Sequence, residues 1–431
     1  MSLVRFKTRS TIEFVSNISK MISGGVLAQG ISLVAAPVVA RIFFPSQFGK
    51  VALLSSLASM IVPVSTFCYN QAIPLPRSEN EANGIAQNCF LILLTLSAAV
   101  LFIVLSFILY YPSAKYVASL GSWIFLLPVL VFTMGAARTF HFMNVRSKQF
   151  GINASSQVVQ NGTTSSTRVA GGIFLGASEW LLFITILLGN SVYLLFLARR
   201  NFKKALNASQ RLKLRGRLDL AKKFKDFPLY TMPTVIITSL SQNLPILFLG
   251  YFFDAAILGF YAFAHRLINL PLNVVSDSIR QVYFQKAAEL FNAGRELKYT
   301  MVKTTLGLVF IGLLPLVLLI FFSKDFFTLF LGSRWGESGV FAAILAPLMF
   351  SRFIAQPSNA VFIVLRRQGL LFKYQFVAIF FKLFSFLHAY YLSFSIYQTL
   401  WYFSIVSTVF NLGIIVIALF LIFGRDLYKN I

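Results

Sequence analysis

The sequence predicts an all-α polytopic membrane protein, with about twelve transmembrane helices in two six-helix bundles. Two observations predict this class. Hydrophobic residues make up 57% of the 431 residues and charged residues only 12%, whereas soluble domains carry about 25% charged residues. Apolar runs of about 20 residues, the length that crosses a bilayer as a helix, recur along the chain and alternate with short basic loops.

The first predicted span follows a basic stretch but is long and lacks a small-residue cleavage site, so we expect it to be retained. The fifth is the least apolar, because it is rich in Ser, Thr, Asn and Gln. By the length of the apolar runs, we expect spans at 21–43, 48–70, 85–111, 122–143, 153–175, 178–198, 229–251, 255–277, 302–323, 338–362, 369–392 and 397–423.

Loop charges predict the orientation of these spans. When the loops are numbered alternately from the N-terminus, one set holds most of the Lys and Arg residues. The other set holds little beyond Lys50, Lys115, Lys324 and Arg334. Basic loops stay on the cytoplasmic side of a membrane. We therefore expect both termini in the cytoplasm, and the even number of spans agrees.

A basic segment at 199–227 separates the spans six and six. It carries eleven Lys and Arg residues against Asp219 and Asp226. We expect a first bundle at 1–198, a linker at 199–227 and a second bundle at 228–431. The linker is interpreted as a solvated segment held near anionic lipid headgroups, and a regulatory or docking role stays open.

An internal repeat relates the two predicted bundles. The stretch 37–49 leads from the first span into the second, and the stretch 245–259 leads from the seventh into the eighth. Both copies run from cytoplasm to exterior, which makes them parallel repeats. In transporters with repeats, the substrate site lies between the repeats.

Four cations, Arg168, Arg266, Arg352 and Lys382, interrupt runs long enough to span a bilayer. A charge at mid-membrane costs at least about 2.5 kcal/mol, and such residues mark substrate or ion paths. The sequence places no acidic residue at mid-span, so these cations predict an anionic substrate. Alternatives stay open: Arg266 could bond to carbonyls freed near Pro271, and the others could join helices by hydrogen bonds.

Hydroxyl and amide side chains form stripes along the second, fifth and seventh predicted spans. Such stripes either join helices or line a path that hydrogen-bonds sugars, and the sequence leaves both interpretations open. The candidates for a glycan lining are Asn161 and Thr164 in the fifth span, Thr234, Thr238 and Gln242 in the seventh, and Gln356 in the tenth, four residues after Arg352.

Several function classes are excluded by what the sequence lacks. It has no Walker-type phosphate loop, no cluster of His, Cys, Asp and Glu with metal-ligand spacing, and no segment long enough for a soluble enzyme domain. We therefore expect no catalytic residue, metal or cofactor. The net charge of +25 lies mostly in loops, as topology signals do, so nucleic acid is not expected as a partner.

Four stretches carry a family resemblance: 30–73, with Pro37, Arg41 and Pro45; 225–245; 259–276, with Arg266 and Pro271; and, more weakly, 331–335. Together they resemble the polysaccharide-exporter (O-antigen flippase) family of the multidrug/oligosaccharidyl-lipid/polysaccharide superfamily. The resemblance implies two six-helix bundles facing each other in a V around a central cavity.

The resemblance also implies a function. Members of this family move an undecaprenyl-diphosphate-linked oligosaccharide from the cytoplasmic to the outer leaflet of the bacterial inner membrane by alternating access. The oligosaccharide is a repeat unit of O-antigen lipopolysaccharide, capsule or exopolysaccharide, and a polymerase and a chain-length regulator are implied partners.

The resemblance places Arg41 and Arg266 on helices that face the cavity. Placement along the spans adds Arg138, Arg168, Arg352 and Lys382 to the predicted diphosphate site. A multidrug exporter of the same superfamily is an alternative, but its cationic substrates would require acids at mid-span. A sugar-porter-type carrier lacks its usual motif here, and a membrane-embedded polymerase or ligase would need a larger exterior domain.

Overall fold

The computed structural model describes residues 23–202, 214–293 and 295–429. In this part of the chain the secondary structure is helical, without strands, and each predicted span overlaps with at least one helix. The helices are α1 (Ser23–Ile42), α2 (Pro45–Ile61), α3 (Glu79–Tyr110), α4 (Lys115–Leu120), α5 (Leu126–Arg146), α6 (Phe150–Phe174), α7 (Glu179–Ala198), α8 (Leu214–Lys223), α9 (Met232–Phe252), α10 (Ala255–Asn292), α11 (Lys298–Leu331), α12 (Gly336–Ile354), α13 (Gln356–Val364), α14 (Gln368–Tyr391) and α15 (Ile396–Lys429).

Ten of the helical segments in the described residues are long and apolar enough to cross a membrane. The predicted class of all-α polytopic membrane protein is thus confirmed. Two predicted spans do not pass this test. α2 has only 17 residues, and α6 has 25 residues but is the polar fifth span.

The second predicted span ends earlier as a helix than its apolar run suggests. α2 begins at Pro45, whose fixed φ suits a first helical position, and the Gln47 side chain accepts a hydrogen bond of 2.9 Å from the Phe44 N–H. The helix ends at Ile61, just before Pro63, which cannot donate to a helical hydrogen bond. Phe67 and Cys68 then adopt positive φ angles of 48° and 59°, which only a turn accommodates.

Several helices continue beyond the apolar runs that predicted them. α10 has 38 residues, about 57 Å at 1.5 Å per residue, whereas the apolar core of a bilayer is about 30 Å thick. Hydropathy falls where charged residues begin, but those residues still favour a helix. The apolar run therefore predicts the membrane segment and not the full helix.

By packing, the chain forms two compact units, Met1–Gly259 and Phe260–Ile431. The first unit includes α9 because this helix packs on α2. Within it, α5 packs against α3 and α7. The predicted division into bundles at 1–198 and 228–431 follows the sequence repeat and stays a prediction.

The second unit is built around α12 and α13. These helices are largely buried against α11 and α15. Trp335, just before α12, is fully buried, and its ring centroid lies 4.3 Å from that of Phe263. By contrast, α11 exposes large apolar side chains such as Phe310 and Phe321, with 76% and 71% of their surface accessible. A face of this kind suits contact with lipid acyl chains.

The basic linker is not wholly solvated. Its described helix, α8, docks on α3: the Arg217 guanidinium donates to the Gln87 side chain at 3.0 Å, and Lys223 forms an ion pair of 2.9 Å with Glu81. Residues 203–213 of the linker lie outside the described residues. Part of the predicted linker is thus a helix attached to the first unit.

The repeat predicted from 37–49 and 245–259 brings two glycines onto each other inside the first unit. A Cβ atom added to Gly49 would overlap the carbonyl oxygen of Ala255, and one added to Gly259 would overlap the carbonyl oxygen of Pro45. The contact is reciprocal, because each glycine lies against the backbone of the helix that carries the other. Only a residue without a side chain permits this backbone approach.

Candidate substrate-binding site

The second unit brings two of the predicted cations together. Arg352, in the last turn of α12, and Lys382, in the middle of α14, are close enough to interact electrostatically. Arg352 also interacts with Tyr261 and His265 of α10. Residues 338–425 contain no Asp or Glu. Two like charges that interact, both on a stretch of the sequence without acidic residues, suit a ligand with more than one negative charge.

The break between α12 and α13 positions Arg352. α12 ends at Ile354, and Pro357 lies in the first turn of α13, where its missing N–H costs nothing. The carbonyl end of a helix stabilises a positive charge in its last turn, which is the position of Arg352. Gln356, a predicted glycan-lining residue, opens α13 and is half-buried.

Arg266 lies on α10 with an exposed side chain. Among the described residues it makes no hydrogen bond, including none to the carbonyls near Pro271. From the start of α10 it is about 16 Å along the helix at 1.5 Å per residue, near the middle of a bilayer core. An exposed guanidinium at that depth is far more stable against water or a ligand than against lipid.

In the first unit, the polar face of α6 packs against its neighbours. Arg168 is only 5% exposed, and its Nε donates a hydrogen bond of 3.1 Å to Thr185 on α7. The side chain of Asn161 accepts a hydrogen bond of 3.0 Å from Ser32 on α1. The hydroxyl of Thr164 donates to the Gln160 carbonyl within α6 at 2.9 Å. These contacts match the helix-joining alternative for the stripe.

The stripe on α9 is arranged in the opposite way. Thr234, Thr238 and Gln242 are exposed, and the two threonine hydroxyls donate to carbonyls one turn earlier at 2.9 Å. An exposed amide such as that of Gln242 favours a water-facing surface within a membrane.

The buried face of α9 joins it to α2. Asn243 accepts hydrogen bonds of 3.0 and 3.1 Å from Ser56 and Ser59, and Ser239 donates to the Ser59 carbonyl at 3.2 Å. Neither Ser239 nor Asn243 was among the sequence candidates. Their four-residue spacing was a signal, but the neighbouring stripe of Thr234, Thr238 and Gln242 carries the same spacing.

The remaining two predicted cations lie in the first unit. Arg41 is exposed, one residue before the end of α1. Arg138 on α5 is half-buried and lines a cavity of about 450 Å³ in the first unit. The sequence did not single out the amide and phenol side chains of that cavity, Gln160, Asn190 and Tyr193.

No group of three or more His, Cys, Asp or Glu residues that could hold a metal ion occurs in the described ranges. Both cysteines, Cys68 and Cys89, are buried and are free thiols. Acidic side chains in ion pairs lie near helix ends, as in Lys50–Glu179 at 2.8 Å and Arg146–Glu79 at 3.1 Å. Chemistry in the interior is therefore that of cations, amides and hydroxyls.

The long apolar helices define a polytopic membrane protein. The chain matches the family described as "Polysaccharide biosynthesis protein" over residues 38–340, and it belongs to that family. The resemblance predicted from the sequence is thereby confirmed.

Solved structures share its fold. A lipid II flippase, MurJ, in an inward closed conformation is 12% identical, with a TM-score of 0.68 over 93% of this chain and 91% of that one. An inward-facing multidrug resistance MATE family transporter of the MOP superfamily is 15% identical, with a TM-score of 0.64 over 95% and 94% of the two chains. At these identities the likeness shows the shared fold.

A curated relative matches over a shorter region. The teichuronic acid biosynthesis protein TuaB of Bacillus subtilis (strain 168) is 22% identical over 151 residues, which are 35% of this chain and 31% of that protein. The chain thus aligns with less than a third of this relative.

Proposed function

We propose that this protein flips an undecaprenyl-diphosphate-linked oligosaccharide from the cytoplasmic to the outer leaflet of the bacterial inner membrane. The observation that carries the proposal is the electrostatic interaction of two cations, Arg352 and Lys382, on a stretch of the second unit without acidic residues. A diphosphate carries more than one negative charge and suits such a pair. Family membership supports a role in polysaccharide biosynthesis.

We propose different roles for the predicted cations. We assign Arg352 and Lys382 to the diphosphate, and Arg266 to its capture, because the Arg266 side chain is exposed at mid-span depth. Arg168 serves to hold α6 to α7 through its hydrogen bond to Thr185. Arg41 is the family-like position at the end of α1, where an exposed cation can attract the anion.

The exposed hydroxyl and amide stripe of α9 provides hydrogen bonds for the glycan. Thr234, Thr238 and Gln242 leave one side of that helix polar, while Gln356 is placed four residues from Arg352. The prenyl tail stays in lipid. Outward movement of one negative charge is favourable by about 2.3 kcal/mol per 100 mV of inside-negative potential, so the membrane potential favours export.

The proposal includes an orientation and partners. Both termini are cytoplasmic by the distribution of basic loops, and exposed lysines of the linker such as Lys222 face anionic lipid headgroups. A polysaccharide polymerase and a chain-length regulator would use the exported repeat units. A cationic drug is a poor substrate for the same interior, because Arg352 and Lys382 would repel it.

The test compares two lysines on the same helix. In cells deleted for the gene, Lys382→Gln should restore surface polysaccharide about tenfold less than the wild type, because a hydrogen bond to a charged group contributes about 1.5–3 kcal/mol. Lys373→Gln, at an exposed position of α14, should restore it fully. Membrane abundance of each variant is measured in parallel.

The leaflet that holds the lipid-linked sugars decides the function itself. In vesicles from deleted cells, complete repeat units should be confined to the cytoplasmic leaflet, and the wild-type gene should move them outward. Incomplete units, or complete units already outside, would contradict a flippase. Equal loss in Lys373→Gln and Lys382→Gln would contradict the assignment of the site.

A further inference from the structure

We propose that the cavity lined by Arg138 in the first unit is a second binding site, which takes a sugar with one carboxylate, such as a hexuronic acid. The inference rests on the proposed function, since it assigns the site to an acidic sugar of the carried glycan or to a free sugar acid of the same chemistry. The diphosphate cations Arg352 and Lys382 belong to the other unit.

The cavity has the size and access of a small-ligand site. Its volume of about 450 Å³ lies within the range of about 300–1,000 Å³ found for such pockets, enough for one or two sugar rings. Its polar side chains are only partly buried, so a ligand can reach them. The lining comes from α5, α6, α7 and the end of α2: Val62, Met134, Arg138, His141, Phe142, Gln160, Asn190 and Tyr193.

The charge of the lining selects an anion of one charge. Arg138 is its one Lys or Arg, and no Asp or Glu is among the lining residues. Within the described residues Arg138 makes no hydrogen bond or ion pair, and the titratable groups that interact with it are Cys68, Tyr193 and His141. A guanidinium binds a carboxylate through two parallel hydrogen bonds. One cation matches one carboxylate, whereas a diphosphate would bring excess negative charge.

The amides that line the cavity with Arg138 suit sugar hydroxyls. Gln160 donates to the Asn190 side chain at 3.0 Å, and Asn190 donates to the Ile186 carbonyl at 2.9 Å. Each amide therefore keeps one N–H, and Gln160 keeps its oxygen, for a ligand. Held in a fixed orientation by their mutual bond, these groups can discriminate hydroxyl patterns at low entropic cost.

Aromatic and apolar side chains complete the walls. Phe142 and Tyr193 offer ring faces and Val62 and Met134 offer aliphatic surface, against which the C–H faces of a sugar ring can pack. His141 is held edge-to-face on Phe142, with ring centroids 5.6 Å apart. A small inorganic anion would use the guanidinium but would leave the amides and the rings without a ligand contact.

Binding to the purified full-length protein in detergent tests the site directly. Calorimetric titration with D-glucuronate should show binding at least tenfold tighter than D-glucose or acetate, since each supplies only half of the recognised groups. Arg138→Gln should weaken glucuronate binding at least tenfold, as expected for a lost charge-assisted hydrogen bond. Arg138→Lys keeps the positive charge but cannot form the two parallel hydrogen bonds. Its affinity for glucuronate should therefore lie between those of the wild type and Arg138→Gln. Lys373→Gln, which removes a positive charge at an exposed position of α14, should bind glucuronate as the wild type does.

Three results would overturn the proposal: equal affinities for glucuronate and glucose, equal affinities for glucuronate and acetate, or unchanged binding in Arg138→Gln. Thermal unfolding of each variant shows whether the fold is retained, and Arg138→Lys keeps the test decisive if the glutamine variant does not fold.

A translocation assay separates the two sources of the sugar acid. Vesicles are supplied with a lipid-linked oligosaccharide that contains a uronate, or with its carboxamide. If the carried glycan is the ligand, the wild type should translocate the uronate faster and Arg138→Gln should remove the difference. If a free sugar acid is the ligand, Arg138→Gln should lose glucuronate binding. It should still translocate both lipid-linked oligosaccharides at the same rates as the wild type. Failure of the wild type to translocate either lipid, with glucuronate binding intact, would refute the flippase function and not this site.

Discussion

The backbone contact between Gly49 and Gly259 provides a sharp test of the packing in the first unit. In Gly49→Ala, the new methyl group would overlap the carbonyl oxygen of Ala255 and lie 2.8 Å from its carbonyl carbon. Ordinary carbon–carbon contacts are about 3.5–4.0 Å. Neither backbone can rotate away as a side chain would, so the two helices must separate. Overpacking of this kind costs about 1–3 kcal/mol.

The assay is thermal unfolding of the purified protein in detergent. A loss of 1 kcal/mol lowers the midpoint by about 2–4 °C in a unit of this size, so we expect a fall of several degrees for Gly49→Ala. The unfolding midpoint of Gly259→Ala should fall by a similar amount, because the new methyl group would overlap the Pro45 carbonyl oxygen. The double variant should lose less than the sum of the two, since the first substitution already separates the helices.

Gly162→Ala is the matched control. Gly162 is also helical, but a Cβ there would meet nothing within 4 Å, so alanine should leave stability unchanged or raise it by about 0.5–1 kcal/mol. An unchanged midpoint in Gly49→Ala, or an equal fall in Gly162→Ala, would refute the reasoning.

Two further predictions compare residues with similar sequence signals. Asn243→Ala should destabilise the protein by about 1–3 kcal/mol, because it removes the acceptor of two serine hydroxyls, whereas Gln242→Ala should change stability by less than about 0.5 kcal/mol; denaturation in detergent measures both, and equal effects would contradict the assignment of faces. Arg266→Cys should react in vesicles with a water-soluble thiol reagent, whereas Arg168→Cys should not, because the former position is exposed and the latter buried. The two native thiols are buried and supply little background, and protection of Arg266→Cys would place it in lipid or packed protein.

The sequence by itself determined the membrane class and the approximate position of each helix. These properties depend on the length of apolar runs, which is a one-dimensional quantity. Where two signals compete along the chain, the prediction was less accurate. α2 ends as a helix at Ile61 rather than at 70, because Pro63 interrupts the apolar run. α10 continues to Asn292, because the charged residues beyond the apolar run still favour a helix.

Only the tertiary structure decided which polar face meets a neighbour. Helical periodicity shows that Thr234, Thr238 and Gln242 share one side of α9, but it contains no information on what lies opposite. The packing of α9 on α2 instead joins Asn243, which is half-buried, to Ser56 by a hydrogen bond. Likewise, Arg168 and Arg266 are similar interruptions of apolar runs. Arg168 nevertheless donates a hydrogen bond to Thr185 on α7, whereas Arg266 is exposed. Contacts between residues distant in the chain make this choice, and no local pattern records them.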